Sequence, residues 1–333
     1  MTAPLALTLG EPAGVGPELA LVLWAKRALF GVPTFVLLGD PALIAARAKL
    51  LNLEVPIAES NAAQAAGRFA TALPVLPIGI AAKAKPGKPD ATSAPAARAA
   101  IDRAVALVQG GQVAAIVTNP IAKSVMYGAG FAFPGHTEYL AHLSTKPGEP
   151  APHSVMLIWS EELKVVPVTV HVPLADVPRL LTTELIVETG RIVARELKSR
   201  FGIAAPRLAV AGLNPHAGEG GSLGHEEETV IQPAVERLRA DGIAVSGPHS
   251  ADTLFHAEAR IRYDVVLGMY HDQVLVPIKT LAFERAVNVT LGLPFVRTSP
   301  DHGTAFELAG TGRADPSSLL AALKLARRLA GAA

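Results

Sequence analysis

The chain of 333 residues contains no cysteine. This absence excludes disulfide scaffolds, thiolate metal sites and cysteine nucleophiles, so that a strong metal site would need imidazole or carboxylate ligands. No block of lysine and arginine is longer than two residues, and the formal net charge is +1. Because nucleic-acid binding needs clustered positive charge, we expect no nucleic-acid partner.

Long hydrophobic runs are also absent, since no apolar run approaches the roughly 18 residues that span a bilayer. The N-terminal stretch MTAPLALTLGEPAG has no basic start and turns polar at once. We therefore expect a cytoplasmic protein with no membrane partner. With 50% hydrophobic and 18% charged residues, the composition is that of an ordinary globular chain, and its length suits one large or two medium domains.

Two common nucleotide-binding signatures are missing. The glycine-rich stretches GEPAGVG and GLNPHAGEGG do not have the spacing of the dinucleotide fingerprint GxGxxG. The chain also lacks GxxxxGK[ST], which excludes the simplest NTPases. A nicotinamide cofactor would therefore bind outside the ordinary Rossmann arrangement.

Short apolar runs alternate with longer segments of helical period, which predicts βαβ units and a mainly parallel sheet. The predicted strands cover residues 5–9, 34–38, 114–117, 165–170, 208–213, 265–269 and 287–291. Helices are predicted over 17–29, 94–108 with Thr92 or Ser93 as a cap, 184–199 with Thr182 or Thr183 as a cap, and 222–239.

Three predicted strands run into a histidine, namely His171, His216 and His271. Ligands of open parallel sheets bind beyond the carboxyl ends of the strands, where imidazoles from separate units converge. Three neutral histidines with an open position suit a catalytic zinc or similar divalent ion. The alternative is that each histidine is a hydrogen-bonded loop residue.

Other polar residues near element ends have two interpretations. In GHTE, residues 135–138, the start of a helix favours a phosphate or carboxylate, but Thr137 is equally suited to cap the helix. Lys123 follows a predicted strand and either meets an anion or is solvated. Glu219, Glu226 and Glu227 are possible ligands, but complementing the helix dipole is favoured for the three glutamates of GHEEE.

The motifs TLGEPAGVGPE, FPGHTEYLA, VTVHVPL, AGLNPHAGEGG, GPHSADTLF, MYHDQVLVPIKT and VNVTLGLPFVRTSPDHGTAFELAGTG together closely resemble the 4-hydroxythreonine-4-phosphate dehydrogenases of the PdxA family. The resemblance covers nearly the whole chain. It implies two α/β/α domains that flank a cleft, as in isocitrate and isopropylmalate dehydrogenases. The first would comprise residues 1–130 and about 300–333 on the cofactor side, and the second about 131–299 on the metal and dimer side.

The resemblance also implies the residues of the site. One divalent ion, Zn, Mg or Co, would be bound by His171, His216 and His271, in a homodimer whose active site lies at the subunit interface. A small phosphorylated amino acid would contact His136, Thr137, Lys279, Asn288 and Arg297. NAD(P) would lie near Asp301, His302, Gly303 and Thr304, and the catalytic candidates are His136, Asp272 and Lys279.

The implied reaction is oxidation of 4-phosphooxy-L-threonine to 2-amino-3-oxo-4-phosphooxybutanoate, which decarboxylates to 3-amino-2-oxopropyl phosphate, in pyridoxal 5'-phosphate (vitamin B6) biosynthesis. Val274 and Ser250 depart from the family pattern, so a paralogous dehydrogenase for another 4-phosphorylated four-carbon hydroxy acid is one alternative. A phosphotransacetylase-like acyl transferase and a noncatalytic sugar-phosphate binding protein are the others.

Overall fold

Residues 2–331 are described by a computed structural model, in which the chain passes from a first unit to a second and back. The first unit runs to Ser154 and resumes over Leu293–Gly331, and the second is Val155–Gly292. The sequence prediction placed the two crossings at about residues 130 and 300. The assignment of the cofactor to the first unit and of the metal to the second stays a prediction.

The sheet of the first unit is parallel throughout its described strands, in the order β3-β4-β2-β1-β5-β12. Both β1 and β2 are buried along their whole length, as expected for parallel strands covered on both faces. The bounds are Leu5–Thr8 for β1, Phe35–Gly39 for β2, Ile57–Glu59 for β3, Leu73–Pro77 for β4, Ile116–Thr118 for β5 and Arg297–Pro300 for β12.

The helices of the first unit connect and cover these strands. Their bounds are Gly16–Ala25 for α1, Arg27–Phe30 for α2, Pro41–Leu50 for α3, Ala62–Arg68 for α4, Ser93–Gln109 for α5, Lys123–Gly128 for α6, His136–Leu143 for α7 and Ser317–Gly331 for α13. The long helix α5 lies against β1 and β2 through a row of small buried side chains. Thr92 occupies the N-cap position of α5 but makes no capping bond, because its hydroxyl accepts the Lys83 N–H, and the alternative cap Ser93 is the first residue of the helix, with a hydroxyl that accepts the Asp90 N–H.

The second unit has the strand order β11-β6-β7-β10-β8-β9. Here β7, β10, β8 and β9 are mutually parallel, whereas β6 is antiparallel to both β7 and β11. The bounds are Val155–Trp159 for β6, Lys164–Thr169 for β7, Arg207–Ala211 for β8, Ala244–His249 for β9, Val265–Tyr270 for β10 and Val287–Leu291 for β11. The prediction of a mainly parallel α/β fold is confirmed.

The helices of the second unit are Val177–Leu180 (α8), Thr183–Ser199 (α9), Gln232–Ala240 (α10), Ala257–Arg260 (α11) and His271–Ala282 (α12). Thr182 caps α9 as predicted, because its hydroxyl accepts the Leu185 N–H at 3.1 Å. The predicted helix 222–239 is instead a short π-helix, Glu227–Ile231, followed by α10. No helix within residues 2–331 is long and apolar enough to cross a membrane.

A buried ion pair supports the glycine-rich turn between β1 and α1. Arg47 of α3 lies 3.7 Å from the Glu18 carboxylate, and both side chains are almost fully enclosed. The same guanidinium donates to the carbonyl oxygens of Gly14 at 3.0 Å and Pro12 at 3.1 Å, while Glu18 accepts the Gly310 N–H at 2.6 Å. One pair of charges therefore ties this turn to the chain that follows β12.

We predict that Arg47→Ala lowers the free energy of unfolding of the first unit by about 3–5 kcal/mol, because it leaves the Glu18 carboxylate buried without its cation. Denaturant unfolding followed by Trp24 fluorescence, in a Trp159→Phe background, measures this unit. The control is Arg103→Ala, which removes an exposed arginine of α5. Equal unfolding midpoints for the two variants would contradict the prediction.

Candidate active site

The three predicted metal ligands follow neighbouring parallel strands of the second unit. Because β10 pairs with both β7 and β8, the carboxyl ends of all three strands lie at one edge of the sheet. His171 follows β7, His216 lies in the loop after β8, and His271 is the first residue of α12 directly after β10. The rings of His171 and His271 have centroids 5.8 Å apart.

Two of these histidines have a left-handed backbone. The φ angle is 54° at His171 and 52° at His216, a region that residues other than glycine occupy at an energetic cost. Such strain persists only where the surroundings enforce it, and it concentrates at functional positions. The strained backbone is therefore a second indication, independent of their position after a strand, that His171 and His216 are functional.

The ring of His271 is oriented by its neighbour Asp272. Its Nδ1 lies 2.8 Å from Asp272 Oδ1, which leaves Nε2 directed elsewhere. Histidines that bind metals usually make such a contact through the other ring nitrogen. Among residues 2–331 of a single chain, however, no three histidine, aspartate or glutamate side chains form a group that could hold a metal ion.

Lys279 and Asn288, the predicted substrate residues of the second unit, lie on α12 and β11. Lys279 is half-buried, with its Nζ 5.7 Å from the centre of the Phe283 ring. Asn288 Oδ1 is enclosed and accepts no hydrogen bond from any described residue. A buried amide oxygen without a partner is costly, which suggests that a ligand supplies the donor.

In the first unit, His136 and Thr137 open α7, and the prediction that Thr137 caps this helix is wrong. The N-cap residue is Gly135, with no side-chain capping bond. His136 keeps some exposure as a residue, but its Nε2 is enclosed and has no partner within the described part of the chain. Burial, followed by the charges of Arg297 and Lys123, lowers the pKa of His136 well below its usual 6.5.

Arg297 begins β12 and is 3% exposed. Its Nε and Nη2 donate to the Thr118 hydroxyl at 3.2 and 2.6 Å. Burial lowers the pKa of Arg297 to about 10, partly offset by the nearby Glu138 carboxylate, so the guanidinium is protonated at neutral pH. The first unit thus places a buried cation and a neutral imidazole close enough to interact, an arrangement suited to an anionic group.

The predicted cofactor loop follows β12. The Asp301 N–H donates to the Ser318 hydroxyl at 3.1 Å, and His302 Nδ1 lies 2.9 Å from the Gly303 carbonyl oxygen. The Thr304 carbonyl accepts the Val15 N–H at 3.0 Å, which joins this loop to the glycine-rich turn after β1.

The contact between the loop and the turn leaves little room for a side chain at Gly14. A Cβ at Gly14 would lie 3.0 Å from the Thr304 oxygen. Sequence reasoning missed this contact, although the glycine spacing of GEPAGVG was its one visible signal. It also left open the part played by Lys123, whose charge acts on His136.

We predict that the His136 ring stays neutral well below pH 6.5, and that Lys123→Met raises its pKa without restoring 6.5, because burial is the larger cause. Since the unfolded imidazole has a pKa of about 6.5, this residue's contribution to stability is complete above that pH and is lost as the pH falls below it. NMR titration of the ring resonances, assigned with His136→Gln, measures the pKa. Lys146→Met, at an exposed lysine, is the control; a His136 titration near pH 6.5 would contradict the prediction.

Comparison with known proteins agrees with this chemistry. Residues 32–326 match the family model described as pyridoxal phosphate biosynthetic protein PdxA. A 4-hydroxythreonine-4-phosphate dehydrogenase of Xanthobacter autotrophicus is 62% identical over 99% of this chain and 94% of its own length. The crystal structure of a 4-hydroxythreonine-4-phosphate dehydrogenase from Klebsiella pneumoniae aligns with a TM-score of 0.85 at 37% identity, over 99% of this chain and 98% of that one.

A more distant structure is also an oxidoreductase. The terephthalate 1,2-cis-dihydrodiol dehydrogenase from Burkholderia xenovorans aligns with a TM-score of 0.65 at 29% identity, over 98% of both chains. The full-length relatives make the chain a dehydrogenase that acts on a CH–OH group, which implies a nicotinamide cofactor. Taken with the fold, these matches show that the chain belongs to the PdxA family of pyridoxal phosphate biosynthetic proteins.

Proposed function

We propose that this enzyme oxidises 4-phosphooxy-L-threonine with NAD(P)⁺ to 2-amino-3-oxo-4-phosphooxybutanoate, which loses CO₂ to give 3-amino-2-oxopropyl phosphate in pyridoxal 5'-phosphate biosynthesis. The observation that carries the proposal is the enclosed, neutral ring of His136, whose Nε2 has no hydrogen-bond partner within the described residues. The positive charges of Arg297 and Lys123 lie close enough to lower the pKa of this ring. A polar, anionic substrate supplies both the hydrogen bond and the countercharge that this arrangement calls for.

We assign the phosphate to Lys279, Asn288 and Arg297, and further substrate contacts to His136 and Thr137. Arginine binds a phosphate through two parallel hydrogen bonds, whereas lysine acts as a point charge. Binding of the remote phosphate fixes the position of the C3 hydroxyl, and this orientation is a large part of what a protein contributes to a transfer reaction.

We propose that His171, His216 and His271 hold one divalent cation. Two imidazoles that bind one tetrahedral zinc ion at about 2.0–2.1 Å have ring centres about 5 Å apart, comparable to the 5.8 Å between His171 and His271. Asp272 keeps Nδ1 of His271 engaged and so reserves Nε2 for the cation. The donors therefore suit Zn²⁺, Co²⁺ or Mg²⁺ in that order, because imidazole is a better ligand for the first two.

We further propose that the site is completed in a homodimer, with histidines of both subunits at the cation. A single chain brings the rings of His171 and His271 together. Its described residues contain no group of three side chains that could hold a metal ion. Val276 in the helix that begins with His271, and Phe283 directly after its last residue, are exposed at 65% and 70%. Exposed apolar side chains on the helix that carries a ligand support a subunit interface there.

In the proposed reaction, a cation bound by the histidines would stabilise negative charge that develops on the substrate oxygen. The nicotinamide, which we place near Asp301, His302, Gly303 and Thr304, would accept the hydride. His136, Asp272 and Lys279 remain the candidates for removing the hydroxyl proton. Among them, His136 is neutral but is a weak base because its pKa is lowered, and Asp272 already contacts His271.

We predict that the purified protein reduces NAD⁺ or NADP⁺ in the presence of 4-phosphooxy-L-threonine, and that complete chelation or His271→Ala lowers kcat/KM by at least a hundredfold. Absorbance of the reduced nicotinamide measures turnover, and a panel of other 4-phosphorylated four-carbon hydroxy acids tests a paralogous substrate. His256→Ala, at an exposed histidine, is expected to keep full activity. Undiminished turnover after complete metal removal would refute the metal-dependent mechanism.

A further inference from the structure

Glu227 is a buried carboxylate to which the reaction proposed above gives no part. It is 3% exposed and begins the π-helix Glu227–Ile231. The sequence suggested that it complements a helix dipole together with its neighbours. Of those neighbours, Glu228 is exposed to solvent and Glu226 is half-buried, so the enclosed position of Glu227 needs another explanation.

Both oxygens of Glu227 accept hydrogen bonds from the loop that follows β8. Oε1 accepts the backbone N–H groups of Leu213 and Asn214, each at 2.7 Å, and Oε2 accepts the side-chain amide of Asn214 at 2.9 Å. Hydrogen bonds to an ionised carboxylate are among the stronger ones in proteins. Glu227 therefore fixes the two residues that immediately precede Pro215 and His216.

The loop held in this way has an unfavourable backbone. His216, Ala217 and Glu219 have φ angles of 52°, 53° and 43°, in the left-handed region that favours glycine. Gly218, with φ 79°, packs directly on the carboxylate, because a Cβ there would lie 2.6 Å from Glu227 Oε2. Loop conformations of this kind persist only where the surrounding structure enforces them.

A second side chain ties the start of the same loop to the neighbouring strand. Gln273 of α12 donates through its Nε2 to the Gly212 carbonyl at 2.7 Å and accepts the Met269 N–H at 2.6 Å through its Oε1. The base of the loop is thereby fixed relative to β10 and His271. After Gly212, the hydrogen bonds of Glu227 to Leu213 and Asn214 fix the path of the backbone.

We propose that Glu227 is a positioning residue that holds residues 213–219 in the conformation that presents His216 to the divalent cation. This inference rests on the metal site proposed above. π-helical segments are frequently found at functional sites, and partners of metal ligands beyond the ligands themselves tune metal affinity. Here the support acts on the backbone of the ligand loop and not on the imidazole ring.

The test is the affinity of the full-length protein for Co²⁺, measured by calorimetry and by its visible d–d absorption. Glu227→Gln keeps the shape but places an amide where Asn214 donates, so we expect at least tenfold weaker binding and an altered absorption spectrum. Glu228→Gln makes the same charge change one residue away, at a side chain 57% exposed, and should bind Co²⁺ like the unmodified protein. Circular dichroism verifies that both variants are folded.

Glu227→Asp, measured in parallel, keeps the charge and withdraws both oxygens by one methylene. It is expected to lose affinity as well, so the inference remains testable if Glu227→Gln does not fold. Equal affinities and identical spectra for the unmodified protein and the folded Glu227 variants would overturn the positioning role. If the unmodified protein binds no Co²⁺ that depends on His216, the proposed metal site itself fails, which is a separate result.

Discussion

Parallel pairing of β10 with both β7 and β8 is the constraint on which the second unit's part of the site depends. Parallel strands must all leave the sheet at the same edge, so the residues that follow them are delivered together. That geometry brings the ring of His171 beside that of His271, although 99 residues of sequence lie between them. The chemistry of each loop then depends on how its backbone is held after the strand ends.

Buried charge holds loops in both units. In the first unit, the Arg47 guanidinium and the Glu18 carboxylate bond to the turn after β1 and to the chain after β12. In the second unit, Glu227 bonds to the loop after β8. A buried charge is costly unless its hydrogen bonds are satisfied. Loop amides and carbonyls supply hydrogen bonds to these charges, and the same bonds fix the loop conformation.

The pattern of apolar and polar residues along the sequence predicted those strands and helices whose residues contact mainly their own segment or a buried sheet. The bounds of β11 agree with the predicted strand, and Thr182 caps α9 because its partner lies three residues away. The antiparallel hairpin of β6 and β7 went unpredicted, since an apolar run gives no sign of its direction in the sheet.

Contacts between distant segments account for the other errors. Glu227 looked like a first-turn glutamate of a helix, and its actual partners, Leu213 and Asn214, lie 14 and 13 residues earlier. Thr137 and Thr92 have the residue type of helix caps but not the geometry. A histidine after a strand was visible in the sequence, whereas the left-handed backbone of His171 and His216 depends on surroundings that a pattern does not contain.

The register of β10 sets how much change in chain length this site tolerates. Val266 and Tyr270 pair with Val165 and Thr169 of β7. This register fixes which side chains of β10 point to each face of the sheet up to the residue at which α12 begins. A single inserted residue in β10 would turn every later side chain of the strand to the opposite face. The exposed segment 146–151 belongs to no strand, so its side chains have no alternation between two faces to preserve. Homologous chains should therefore gain and lose residues there, while the length of β10 stays fixed.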